Sequence, residues 1–146
     1  MPGSPNYGDA LAREITRNLP KRISVTIGHA DLTAAALTQT INLGSPLPAG
    51  AQILGRSLRL TQAFSGGSVS ALVVDIGGTD ADAIVDGESV FTGATTAKAG
   101  ISGIDPNGVL GGQQLTATFI ATGANVVDLT AGSVTIDILY AVPTVF

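Results

Sequence analysis

The stretch SVTIDILYAV, residues 133–142, alternates apolar and polar side chains. Val134, Ile136, Ile138 and Tyr140 fall on one side, and Thr135 and Asp137 on the other. A period of two puts successive side chains on opposite faces of an extended chain. The stretch is therefore predicted as a β-strand with one face on a core and one toward water. A helix would need its apolar residues three and four apart instead.

The same period recurs on both sides. In RISVTIG (22–28) Ile23, Val25 and Ile27 face one way. In LTQTINL (37–43) Leu37, Ile41 and Leu43 alternate with Thr38, Thr40 and Asn42. In QLTATFIAT (114–122) Leu115, Ala117 and Phe119 oppose Thr116 and Thr118. The long run QILGRSLRLTQAFS (52–65) turns Leu58, Leu60 and Phe64 inward. Arg56 breaks its register, which predicts a bulge near Gly55. Ser65–Ser68, reading SGGS, makes a tight reversal into VSALVVDIG (69–77), and the pair reads as a hairpin. Two further strands are predicted near ESVF (88–91) and ANVVDL (124–129), whereas 91–112 reads as a Gly- and Thr-rich loop with a turn at Asp105–Gly108. One-sided alternation argues for antiparallel sheets, and no helical pattern separates the strands. The fold class is all-β: an antiparallel two-sheet sandwich, jelly-roll-like, with an N-terminal arm. An immunoglobulin-like sandwich is the alternative, although its Cys–Trp–Cys core is absent.

The domain division is an arm over residues 1–20 and a sandwich over 21–146. Pro2, Gly3, Pro5 and Gly8 open the arm irregularly. Asp9 can then cap a short helix over ALAREITRNL (10–19), which Pro20 ends. Leu11, Ile15 and Leu19 form one stripe on that helix, while Arg13 and Arg17 share another face. Three turns are marginal alone, so the stripe needs a surface: this domain, a sister subunit or a foreign protein. At the other terminus Val145 and Phe146 are apolar last residues that fold back on the sandwich or tuck under a neighbour.

Composition limits the function. Only 12% of residues are charged, against about 25% in an average soluble domain. Scarce charge suggests a surface covered by partner chains, that is, a homo-oligomer. No apolar run is long enough to span a bilayer, and the N-terminus lacks the apolar core of a secretory signal. There is no Cys, hence no disulfide framework. The net charge of −4 conceals a basic start, because Arg13, Arg17, Lys21 and Arg22 stand within the first 22 residues of an otherwise acidic chain. Those cations suit a protein surface. Nucleic acid is not expected, since only Tyr7 offers stacking and the acidic body repels phosphate.

Chemistry is sparse. Asp75, Asp80, Asp82, Asp86 and Glu88 crowd the stretch 75–90. Asp80 and Asp82 have the step of a calcium loop, but Ile84 stands where the next ligand belongs. A solvated loop is the plain reading, with a structural cation site as the alternative. His29 is the lone histidine, and neither a nucleophile elbow nor a second zinc ligand accompanies it. No catalytic residue, cofactor, metal or small-molecule substrate is expected, and the chain is read as a non-enzyme.

LPAGAQILGRSLRLTQAFSGGSVSALVVDIGG (47–78) and LTAGSVTIDILY (129–140), behind an N-terminal arm, resemble head decoration (cement) proteins of tailed bacteriophages. The resemblance lies in the texture of residues 22–142, with no short diagnostic motif. It implies a structural virion protein, bound to the outer capsid surface as a homotrimer, partnered by the major capsid protein, and made in the host cytoplasm. Under it, Leu11, Arg13, Ile15, Arg17, Leu19, Lys21, Arg22, Val145 and Phe146 would form the capsid or subunit interface. A glycan- or receptor-binding module of a tail or spike is the alternative, and it predicts an exposed aromatic platform.

Overall fold

The computed structural model describes residues 20–92 and 112–142, together with the strand 97–100. Eight strands follow in order: β1 (Lys21–Gly28), β2 (Thr38–Asn42), β3 (Gln52–Ser65), β4 (Ala71–Gly77), β5 (Val85–Ser89), β6 (Ala97–Gly100), β7 (Thr116–Thr122) and β8 (Ala131–Ala141). They form two four-stranded sheets, ordered β1–β8–β3–β6 and β2–β7–β4–β5. All the ladders are antiparallel, and the first strand pairs with the last, the second with the second-to-last, the third with β6 and the fourth with β5. The chain is thus one long hairpin of four strand pairs, rolled into a sandwich, which is the jelly-roll arrangement.

The predicted faces hold. Val134, Ile136 and Ile138 of β8 are fully buried, and so are Leu115, Ala117 and Phe119 on and beside β7. Removing such aliphatic and aromatic side chains from water stabilises by about 1.5–3 kcal/mol each. Phe64 and Phe119 meet across the sandwich with ring centroids 5.9 Å apart, tilted by 52°. Outer faces are hydroxyl-rich: Thr26 and Thr135 bond at 2.9 Å on one sheet, and Thr40 and Thr118 at 3.1 Å on the other.

The β3–β8 register shifts between Ile53 and Gly55, at the predicted bulge. Past the shift Arg56 alternates in step with Leu58 and Leu60 and stands on the core-facing side, level with Ile138. There its guanidinium donates to the Ile84 carbonyl, across the sandwich. The bulge lets Ile53 and Leu58 both face the core, and Arg56 falls between them on the same side.

Four expectations are corrected. β3 and β4 are not a hairpin: they lie in different sheets, and the Gly66–Gly67 reversal carries the chain over the end of the sandwich. ANVVDL is not a strand, since Val126–Asp128 forms a 3-10 turn that buries only Val126. Ala97–Gly100, read as loop, is the short strand β6 at a sheet edge. Leu37 is 52% exposed and not core; its carbonyl accepts from Ala121 N at 2.7 Å. Gln39 takes the inward place instead, accepting from Ala34 N at 2.9 Å and donating to the Asp31 carbonyl at 3.0 Å.

Candidate interaction surface

Strand order fixes where the singled-out residues stand. β1 and β2 form one lateral margin of the sandwich, and β5 and β6 the other. β1 begins beside the end of β8, with Lys21 opposite Tyr140. The chain therefore enters and leaves at the same end, which also carries the connections 43–51 and 78–84.

Lys21 and Arg22 open β1 and are exposed. Arg22 keeps 64% of its side chain in solvent, with Nε 3.9 Å from Asp137 Oδ1. That separation is a loose, screened pair. Asp137 lies on the outer face of β8, only 16% exposed, and its Oδ1 has no hydrogen-bond partner. Of the other residues expected at an interface, Leu11, Arg13, Ile15, Arg17, Leu19, Val145 and Phe146 lie outside the described residues.

The acidic residues gather at the opposite margin, yet they do not converge. Asp75 projects from the outer face of β4 and accepts from Gly87 N at 2.6 Å. Asp80 and Asp82 sit exposed in the connection to β5, and Asp86 is exposed on β5 itself. The Asp82 carboxyl donates a hydrogen bond to Asp80, and this and Asp80's negative charge hold Asp82 above the ordinary aspartate range, with Asp86 adding a smaller push. Among the described residues, no three His, Cys, Asp or Glu side chains come together as metal ligands. Gln113 shapes this loop instead, its Oε1 accepting from Thr79 N at 2.9 Å. His29 is half-buried at the start of the 3-10 turn His29–Asp31, away from the acidic loop at the other end of the sandwich.

Lys21 and Arg22 stand at the β1 margin, with Asp137 beside them, and Asp80, Asp82 and Asp86 stand at the β5 margin, where β6 carries Lys98. The sequence contained both groups, but only the strand order sets them on opposite sides. The exposed apolar residues Leu37 and Val127 (52% and 45%) sit together at the far end, where Val127 N meets the Ala34 carbonyl at 3.3 Å. No sequence signal separated these two from core residues. The described aromatic side chains are buried or half-buried.

No family model matches the chain, and no curated protein does. Solved structures do resemble it. A chain in the capsid asymmetric unit of cyanophage Pam1 superposes with a TM-score of 0.60, at 17% identity, over 86% of each chain. A chain in the acid-stable capsid of Helicobacter pylori bacteriophage KHP30 gives 0.46 at 15% identity, covering 88% of this chain and 97% of that one. A chain in the capsid of Ralstonia phage GP4 gives 0.44 at 16% identity, covering 88% and 86%. At these identities the likeness to the Pam1 chain is one of fold: the protein has a sandwich that also occurs in a phage capsid.

Proposed function

We propose that this protein is a structural component of a phage virion, a decoration protein that binds the outer capsid surface as a homotrimer and stabilises the head. The reading rests on the fold shared with a chain of the Pam1 capsid over 86% of both chains. The sequence texture of residues 47–78 and 129–140 points the same way. The role calls for binding, with no bond made or broken. Its partner is the major capsid protein, and its place is the capsid surface.

The charge layout supports a ring of copies. An interface between unlike patches closes a ring when the rotation permits. Here Lys21 and Arg22 of one copy would meet Asp80, Asp82 and Asp86 of the next. Many such copies on a lattice hold by avidity, so each contact can be modest.

Two measurements test the reading. Light scattering of the purified chain should give the mass of three 14.5 kDa subunits. The protein should also co-sediment with heads assembled from the major capsid protein encoded in the same genome, and delay their thermal rupture. A chain that leaves those heads in the supernatant overturns the decoration role; a monomer overturns the trimer.

A further inference from the structure

The two lateral margins of the sandwich are finished differently. At the β5 margin the ladder is interrupted by a register shift between Val74 and Ile76, and Glu88 occupies a core-facing place opposite Val74. Val85 and Val90 are buried there, and Arg56 ties β3 to the Ile84 carbonyl. Bulges and inward charges of this kind are how sheet edges are protected. The β1 ladder has no bulge, and its one charge on the core-facing side, Lys21, stands at its first residue. β1 pairs with β8 through eight consecutive residues without a shift, and past Lys21 its core-facing residues are aliphatic: Ile23, Val25 and Ile27.

Two of those are left partly open. Ile23 and Val25 are half-buried, although their partners Ile138 and Ile136 are fully buried. On the facing edge strand Ile41 is half-buried beside the fully buried Ala117. Their exposure is thus lateral, through the gap between the two sheets. Ile23, Val25 and Ile41 form an apolar seam, closed at one end by Gly44, whose missing side chain would come within 3.6 Å of Ile23 Cγ2.

We propose that this seam is covered by residues 10–19 of the same chain, folded back along β1 as a helix on its Leu11–Ile15–Leu19 stripe. Three observations select this occupant. The segment joins β1 directly, so Pro20 and Lys21 make the return and the effective concentration is high. The lengths agree: Leu11 to Leu19 spans about 12 Å as helix, and Ile23 to Ile27 about 13 Å as strand. The seam is uncharged and so is the stripe. Docked in this way, the helix turns Arg13 and Arg17 outward beside Lys21 and Arg22. The basic margin then becomes a rigid row of four cations. Its use against a capsid or a neighbouring copy rests on the function proposed above; the docking itself does not.

The chain has no cysteine, so introduced thiols can be read without background. The full-length double variants Ile15→Cys/Ile41→Cys and Ile15→Cys/Val25→Cys are treated with a short bis-maleimide, and then an equimolar mixture of Ile15→Cys and Ile41→Cys chains. Ile15→Cys/Val127→Cys is the control, because Val127 lies at the far end. The expected result is an internal cross-link in at least one of the two double variants, seen as a monomer of raised mass, with none in the control or the mixture. A dimeric product in the mixture would assign the seam to a neighbour's segment and overturn the proposal. Absence of any cross-link in both double variants, with β-sheet circular dichroism intact, would overturn it as well. Neither outcome depends on capsid binding.

Discussion

At the scale of single residues, tolerance follows what surrounds each position. Gly132 opens β8 with φ 134°, and a Cβ there would strike the Phe64 ring and come within 2.7 Å of the Phe64 Cα. Phe64 cannot retreat, being fully buried and packed on Phe119. Gly132→Ala should therefore cost about 2–4 kcal/mol in urea unfolding, from overpacking plus an unfavourable backbone angle. Gly87 has φ 62° but nothing within 4 Å, so Gly87→Ala should cost only about 1 kcal/mol. The Asp82 carboxyl is held high by Asp80. A raised folded value means that the native chain keeps a proton which the unfolded chain has released. Stability should thus decline slightly as pH rises from the unfolded value of about 3.9 through the folded one. Carboxyl NMR titration checks this: Asp80→Asn should move the Asp82 midpoint downward.

At the scale of elements, β3 shows how one irregularity assigns a job to a side chain. The shift at Gly55 brings Ile53 onto the same side as Leu58 and Leu60, and Arg56, between them, sends its guanidinium to the opposite sheet. Arg56→Ala should leave the Ile84 carbonyl without this donor and lower stability by about 1–3 kcal/mol. The urea midpoint should fall while the slope stays the same. Arg56→Lys should recover only part, because a flexible ammonium lacks the guanidinium fork. The alternation and the bulge were both legible in residues 52–65. The direction of Arg56 was not, since it depends on which sheet faces β3.

At the scale of the whole molecule, the charge layout makes a prediction about assembly. If opposite margins meet between copies, the contact is partly screened by salt. Light scattering across rising sodium chloride should show the trimer loosening, and Lys21→Glu/Arg22→Glu should loosen it further at low salt. Asp80→Lys/Asp82→Lys added to that variant should restore the trimer, which simple loss of charge would not do. A trimer insensitive to both salt and reversal would place the contact on apolar surface instead, such as the Leu37–Val127 end.

The sequence by itself determined that the chain is β, which side of most strands faces the core, where β3 bulges, and that its two charge groups are separate in the chain. These follow from local causes: a two-residue pleat, turn chemistry and composition. Tertiary structure alone decided that β3 and β4 part company at Gly66–Gly67, that Ala97–Gly100 joins an edge, and that Val126–Asp128 does not. It also decided that Leu37 stays outside and that Lys21 and Arg22 stand across the sandwich from Asp80, Asp82 and Asp86. The physical reason is range. A pleat is set by neighbours in the chain, whereas sheet membership is set by partners such as Lys21 and Tyr140 from opposite ends of it, and no period in the sequence encodes who those partners are.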